Sequence, residues 1–266
     1  MTRHVLVTGG AGFIGSHLVD AYVDAGWRVS IVDDLSSGKQ DHLNPAAAFY
    51  EMDIRHDHVV ELMQELRPDV VNHHAAQMDV RKSVADPTAD AVTNVVGSVR
   101  LLQAAVDAGV KRFLFASTGG AIYGEPVSVP QDEEHPANPL SPYGCAKLAV
   151  EHYLNYFHTV HGLSAVALRY ANVYGPRQNP HGEAGVIAIF AEKMHRGEPV
   201  TIYGTGEQTR DFVSVADVVA ANMAASRAEW TGSFNVGTGV ETSISQLYEL
   251  MAAALDIQRL PLHAEA

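Results

Sequence analysis

The stretch from Val5 to Gly15, VLVTGGAGFIG, constrains this chain more than any other. An apolar, β-branched run leads directly into a glycine turn, and a helical pattern over Ile14–Ala25 follows. Gly10, Gly12 and Gly15 satisfy G-x-G-x-x-G, and Gly9, Gly12 and Gly15 satisfy the wider G-x-x-G-x-x-G. Glycine meets three demands here: positive φ in the turn, close approach of backbone to a pyrophosphate, and a helix lying tight on its strand. The helix N-terminus then offers unpaired N–H groups and a positive dipole end to phosphate. Glycine turns are common, so the specificity comes from the strand before and the helix after.

An acid closes the next apolar run, Arg28–Asp33, eighteen residues after Gly15. A carboxylate there can accept hydrogen bonds from both adenosine ribose hydroxyls. Asp33, with Asp34 beside it, would repel a 2′-phosphate, and Leu35-Ser36-Ser37-Gly38 supplies no arginine to compensate. The pattern predicts NAD rather than NADP.

Strand-like runs continue at Ala48–Asp53, Val70–His74, Arg112–Ser117 and Ser164–Tyr170, separated by helical patterns over Val59–Leu66, Thr88–Ala108 and Tyr143–His161. This alternation predicts an α/β fold, a Rossmann doubly wound parallel sheet with helices on both faces. After Tyr170 the rhythm breaks into Gly- and Pro-rich loops (Tyr174–Gly185, Tyr203–Asp211), which predicts a smaller C-terminal substrate-binding domain. We expect an NAD-binding domain over 1–172 and a substrate domain over 173–266, with about 212–238 returning to the sheet. A last helical run covers Ile244–Leu255.

The formal charge of −13 argues against nucleic acid or an anionic membrane surface as partner, although a few arginines in a cleft can still hold a small anion. No run of eighteen apolar residues is present to span a bilayer. The N-terminus lacks a signal-peptide pattern, and the single cysteine, Cys145, fits a reducing compartment; both predict a cytoplasmic protein. No metal is expected. His73 and His74 alternate across a strand, His56 and His58 sit in a polar stretch, and His158 and His161 have no third ligand nearby.

Ser141-Pro142-Tyr143-Gly144-Cys145-Ala146-Lys147 opens a helix and places Tyr143 and Lys147 at i and i+4, on one face. A phenol of pKa about 10 is a poor base at neutral pH, and an adjacent ammonium and a cationic nicotinamide would both favour phenolate. Lowering such a pKa to about 7 takes roughly 4 kcal/mol, which a desolvated cleft can supply. The phenolate would then take a proton from a sugar hydroxyl while hydride leaves the same carbon.

Together these motifs resemble the extended short-chain dehydrogenase/reductase superfamily, in particular the UDP-galactose 4-epimerases and their relatives, over essentially the whole chain. The resemblance implies that NAD is contacted at Gly9, Gly12, Phe13, Ile14 and Gly15, at Asp33, Asp34, Ser37 and Gly38, and at Asp53 and Ile54. It extends these contacts to Ala75, Ala76, Gln77, Asn94, Tyr143, Lys147 and Tyr170. It implies catalysis by Tyr143 and Lys147 with a hydroxyl from Phe113–Gly124 (FLFASTGGAIYG). The nucleotide-sugar would meet Thr118, Asn172, Val186, Ile187, Thr201 and Tyr203, with Arg210 on the diphosphate, where a planar guanidinium can pair two oxygens. A homodimer is implied as well, through Thr88–Ala108 and Tyr143–His161.

Where many members carry serine or threonine, four residues before Tyr123, this chain has Gly119. Thr118 is therefore the expected donor to the reacting oxygen, with Ser117 second. The Asp-Glu pair that dehydratases place after this threonine is replaced by Gly119-Gly120, which speaks against 4,6-dehydration. The resemblance favours reversible inversion at C4 of a UDP-hexose. UDP-glucuronate epimerisation or decarboxylation, net reduction of a keto-sugar, and a non-catalytic NAD-binding scaffold are the alternatives. Family members usually continue beyond the position of Ala266, so either this branch of the family is short or the chain is truncated; if truncated, sugar-nucleotide affinity is expected to suffer more than NAD affinity.

Overall fold

A computed structural model describes residues 2–181 and 185–265; part of the loop read over Tyr174–Gly185 therefore lies outside the described residues. The chain begins with β1 (His4–Thr8), α1 (Phe13–Asp24), β2 (Arg28–Asp33), β3 (Ala48–Glu51), α2 (His58–Leu66) and β4 (Val70–His73). It continues through α3 (Val80–Ala85), α4 (Pro87–Ala91), a π-helical turn (Val92–Val96), α5 (Gly97–Asp107), β5 (Arg112–Thr118), α6 (Gly119–Ile122), α7 (Pro142–His161) and β6 (Ser164–Tyr170). The remainder is β7 (Asn172–Tyr174), α8 (Val186–His195), β8 (Thr201–Tyr203), β9 (Thr209–Arg210), β10 (Phe212–Ser214), α9 (Val215–Ala225), β11 (Gly232–Val236), β12 (Thr242–Ser243), α10 (Ile244–Ala254) and β13 (Leu262–Ala264).

Among the described residues seven parallel strands form the main sheet in the order β11-β6-β5-β4-β1-β2-β3. Strand order reverses between β1 and β4, which opens a crevice at the carboxyl ends of those two strands. This is the doubly wound Rossmann architecture that the alternation predicts. One face is packed by α2, α5 and α7 around Leu62, Met63, Leu101, Leu102, Phe113, Val150 and Leu154. The other is packed by α1 and α9 around Leu18, Tyr22, Ile31, Leu114, Leu168 and Val218. A third cluster joins α8, β8 and α10 through Phe190, Met194, Ile202 and Tyr248, where the loop-rich C-terminal part has its own core.

Boundaries depart from the sequence reading where side chains take over backbone groups. The strand read to Asp53 ends at Glu51, and the Asp53 carboxylate accepts the Arg55 backbone N–H at 2.8 Å. The single helix read over Thr88–Ala108 starts at Pro87, capped by Asp86 on the Ala89 N–H at 2.9 Å. It is then widened by a π turn containing Asn94. Helix α7 starts as its sequence suggests: the Ser141 hydroxyl accepts the Gly144 N–H at 3.1 Å, with Pro142 in the first turn.

Candidate active site

The glycine loop sits at the crevice between β1 and β4. Gly9 has φ of +71°, and a Cβ there would lie 2.6 Å from the Ala75 nitrogen. A Cβ on Gly15 would lie 2.1 Å from the Gly9 carbonyl oxygen. Both positions therefore exclude any side chain, and α1 is held against its own entry turn. Gly12 caps α1, with Phe13 and Ile14 half-buried in the first turn, where helix geometry leaves leading amides without intrahelical acceptors.

Asp33 closes β2 beneath this loop. Its two carboxylate oxygens accept the Ala11 and Leu35 N–H groups, each at 2.9 Å, which leaves further lone pairs for a ribose. Burial raises its pKa, and those two backbone hydrogen bonds pull the other way. A Cβ on Gly38 would come within 2.8 Å of Asp33 Oδ1, so glycine allows the loop to close over the acid. Asp34 is exposed and accepts from Ser36, while Ser37 is exposed on the same loop. A cavity of about 270 Å³ beside these residues is lined by Asp34, Glu51, Met52, Asp53, His56 and His58. Asp53 is paired with Arg55, whose hydrogen bonds lower its pKa, and that pairing occupies the arginine of this edge. Such an acidic rim suits an unphosphorylated adenosine ribose. Ile54 is core, packed against Gly97, and can face a ligand only with its backbone.

Ala75, Ala76 and Gln77 follow β4 along the crevice. Three expected contact residues turn out to be oriented elsewhere. The buried Asn94 amide brackets the Gln77 backbone, accepting its N–H at 2.9 Å and donating to its carbonyl at 2.8 Å. It also donates to Asp90 at 2.9 Å, so it shapes the loop instead of reaching into the cleft. The Gln77 amide donates to Asp79 and Asp90. Tyr170 points its hydroxyl into the core, where it meets Asn222 at 2.8 Å and His74 at 3.0 Å, and burial raises its pKa. Only the backbone of Gln77 and Tyr170 remains available to a cofactor.

The residues expected to react lie on α7 and at the end of β5. Lys147 is 4% exposed, and its Nζ donates to the Ala116 carbonyl at 2.9 Å. Nζ lies 4.6 Å from the Phe115 ring centroid and 5.7 Å from that of Tyr143. Burial lowers its pKa to about 8, opposed by Asp90 and Glu151. Tyr143 is half-buried. Thr118 ends β5 with partial exposure, whereas Ser117 is buried and donates its hydroxyl to Glu151 at 2.5 Å. This withdraws Ser117 from the candidates for the reacting oxygen and leaves Thr118. Cys145 is exposed, and Tyr123 is buried beneath the site with its hydroxyl donating to Asn235 at 2.7 Å.

A cavity of about 520 Å³ lies between β7, α8, β8 and β9. Asn172, Val186, Ile187, Thr201, Tyr203 and Arg210 all line it. Arg210 is exposed and donates to the Thr209 carbonyl; among the described residues it has no carboxylate partner, so its charge remains available to an anion. Arg177, the other loop arginine near Gly175, pairs instead with Asp20 of α1 at 2.7 Å. The sequence reading missed Gln178. Its Nε2 donates to the Val173 carbonyl at 3.1 Å, while its buried Oε1 has no hydrogen-bond partner among the described residues. No local pattern marks that glutamine, because its place depends on how the loop folds back onto β7.

With the glycine loop at a strand-order reversal, the acid under it and the Tyr-Lys pair described, the chain can be compared with known proteins. The family model described as "NAD dependent epimerase/dehydratase family" matches residues 5–237. The chain belongs to this family. As an epimerase/dehydratase family member it shares 47% identity over 256 residues with a UDP-glucose 4-epimerase of Mycolicibacterium smegmatis, covering 94% of this chain and 82% of that protein. A Thermotoga maritima UDP-glucose 4-epimerase solved with UDP-glucose superposes with a TM-score of 0.95 at 48% identity, covering 99% of this chain and 86% of that one. A Thermus thermophilus UDP-glucose 4-epimerase in complex with NAD superposes with a TM-score of 0.91 at 44% identity, over 99% and 86%. NAD is the cofactor of this family. The Gly9–Gly15 turn and the Asp33 carboxylate fit it, because a side chain at Gly9 or Gly15 would overlap backbone and Asp33 keeps acceptors free.

Proposed function

We propose that this protein interconverts UDP-glucose and UDP-galactose by reversible inversion at C4. The observation that carries the reading is the buried Lys147 ammonium beside the Tyr143 ring and bonded to Ala116 near the carboxyl end of β5, the end of the parallel sheet at which the glycine loop also lies. NAD, when bound, supplies a hydride acceptor that returns the hydride afterwards. Arg210 holds the diphosphate, and Asn172, Val186, Ile187, Thr201 and Tyr203 line the nucleotide. Tyr143 removes the O4 proton as base, with Lys147 supplying the charge that favours phenolate, and later returns a proton to O4 as acid. Thr118 donates to O4 and fixes its orientation. A 4-keto sugar forms, turns over within the cavity, and is reduced on its other face.

Gly119 and Gly120 place no carboxylate after Thr118, which supports inversion over elimination. Residues 173–266 serve as the substrate domain, apart from the segment that carries α9 and β11. The exposed Val92 and Val96 of the π turn, with Tyr153, Tyr156 and Val160 of α7, form an apolar face suited to a second copy of the chain. The reaction belongs to galactose and nucleotide-sugar metabolism, in the cytoplasm.

The test is to incubate purified protein with UDP-galactose and catalytic NAD and to follow UDP-glucose by chromatography. A fixed product ratio without net NADH is the expected result. Stoichiometric NADH, CO2 release from UDP-glucuronate, or bound NAD with no turnover of any sugar nucleotide would each replace this reading.

A further inference from the structure

Beneath the reactive groups lies a buried ion pair that the chemistry above does not use. Glu151 stands one turn beyond Lys147 on α7, and Arg169 lies on β6; the two are 7% and 8% exposed and meet at 2.6 Å. A carboxylate this buried needs its lone pairs filled. Arg169 Nη2 donates at 2.6 Å and Nε at 3.1 and 3.2 Å, the Ser117 hydroxyl at 2.5 Å, and the Ser233 hydroxyl at 3.0 Å. Arg169 Nη1 donates onward to the Tyr123 hydroxyl at 2.9 Å. One carboxylate thus joins α7 to β5, β6 and β11.

Its grip on β5 falls at a telling place. Ser117 lies between Ala116, whose carbonyl accepts from Lys147 Nζ at 2.9 Å, and Thr118. We propose that Glu151 is a positioning residue: through Ser117 it fixes where Ala116 anchors the Lys147 ammonium and where Thr118 presents its hydroxyl. The inference rests on the Tyr143–Lys147–Thr118 reading above.

The same carboxylate, one turn along α7 from Lys147, also acts on the ammonium through its charge. Asp90 and Glu151 both favour its charged form against burial. His73 and His74 at the end of β4 are held neutral chiefly by burial. Tyr143 lies on the same helix, and Arg169 is already paired with Glu151.

Two variants separate the two effects. Ser117→Ala keeps the charge and cuts the link to the strand, and Glu151→Gln keeps an acceptor oxygen and removes the charge. Both are compared with wild type, NAD-loaded, for kcat and KM across pH, with NAD content and thermal midpoint as folding controls. Ser117→Ala should lower kcat roughly tenfold, leaving KM and the alkaline limb in place. Glu151→Gln should move the alkaline limb of kcat to lower pH, because both the lost carboxylate and the uncompensated Arg169 favour loss of the lysine proton. Carbon-13 NMR of labelled lysine, with Lys147 assigned through Lys147→Met, reads the same titration without any sugar nucleotide: its midpoint should fall in Glu151→Gln and stay in Ser117→Ala. Wild-type protein that turns over no sugar nucleotide would defeat the epimerase reading alone, and the NMR midpoint would still decide the positioning role. That role is overturned by an unmoved Lys147 midpoint in Glu151→Gln, or by unchanged kcat in Ser117→Ala. Should Glu151→Gln fail to fold, kcat and KM of Ser117→Ala decide it.

Discussion

Replacing Lys147 with methionine should abolish turnover and yet stabilise the protein. The ammonium is almost fully buried, and its pKa drops from an ordinary 10.5 to about 8. At about 1.4 kcal/mol per pH unit, that interval corresponds to roughly 3 kcal/mol by which the folded state disfavours the charged lysine. The cost is fully present below pH 8, where both states carry the proton. It fades between about 8 and 10.5, where only the unfolded chain holds it, and is gone above. Methionine is close in length and brings no charge, but it leaves the Ala116 carbonyl without the Nζ donor, a loss of about 1–2 kcal/mol. The net gain at neutral pH is about 1–2 kcal/mol, or about 3–6 °C in thermal midpoint for a chain of this size. Thermal melts of NAD-free wild type and Lys147→Met, followed by circular dichroism at several pH values, would read it directly. The gap between the two should be widest near pH 7, close between about pH 9 and 10, and reverse above that, where the cost of the charge is gone and only the lost Nζ donor counts. A variant less stable than wild type at neutral pH, or a gap indifferent to pH, would refute the reasoning.

Gly15→Ala should weaken NAD binding at least a hundredfold by fluorescence titration, because its Cβ would overlap the Gly9 carbonyl at 2.1 Å. Arg210→Ala should raise KM for the sugar nucleotide about ten- to a hundredfold in steady-state assays, with NAD content unchanged, since a charge-assisted bond contributes about 1.5–3 kcal/mol. Asn94→Leu orphans both backbone groups of Gln77; it should cost roughly 2–4 kcal/mol in urea unfolding and reduce retained NAD. Thr118→Val should lower kcat about a hundredfold in the same steady-state assay, with binding little affected; unchanged turnover would remove the threonine from the proposed chemistry.

What could be read from sequence is what local geometry decides. The strand, turn and helix of residues 4–24 and the acid ending β2 follow from backbone needs that few residues meet, and strand–helix alternation yields the doubly wound sheet. Tyr143 and Lys147 share a helix face by spacing alone. The loop-bracketing role of Asn94, in the π turn, and the inward hydroxyl of Tyr170 depend on partners seventeen to ninety-six residues away. Ser117 and Thr118 show the boundary well. Strand alternation already places neighbours on opposite faces, but only the arrival of Glu151 from α7 determines that the serine is the one turned inward.

At Gly9 the cofactor loop rests on the His74–Ala75 peptide with no side chain between them. The ends of the first and fourth strands therefore meet main chain to main chain, and any side chain at Gly9 would force them apart. The larger cavity is walled instead by side chains on short strands and a helix, Val186, Ile187, Tyr203 and Arg210 among them, and each of those walls can change by itself.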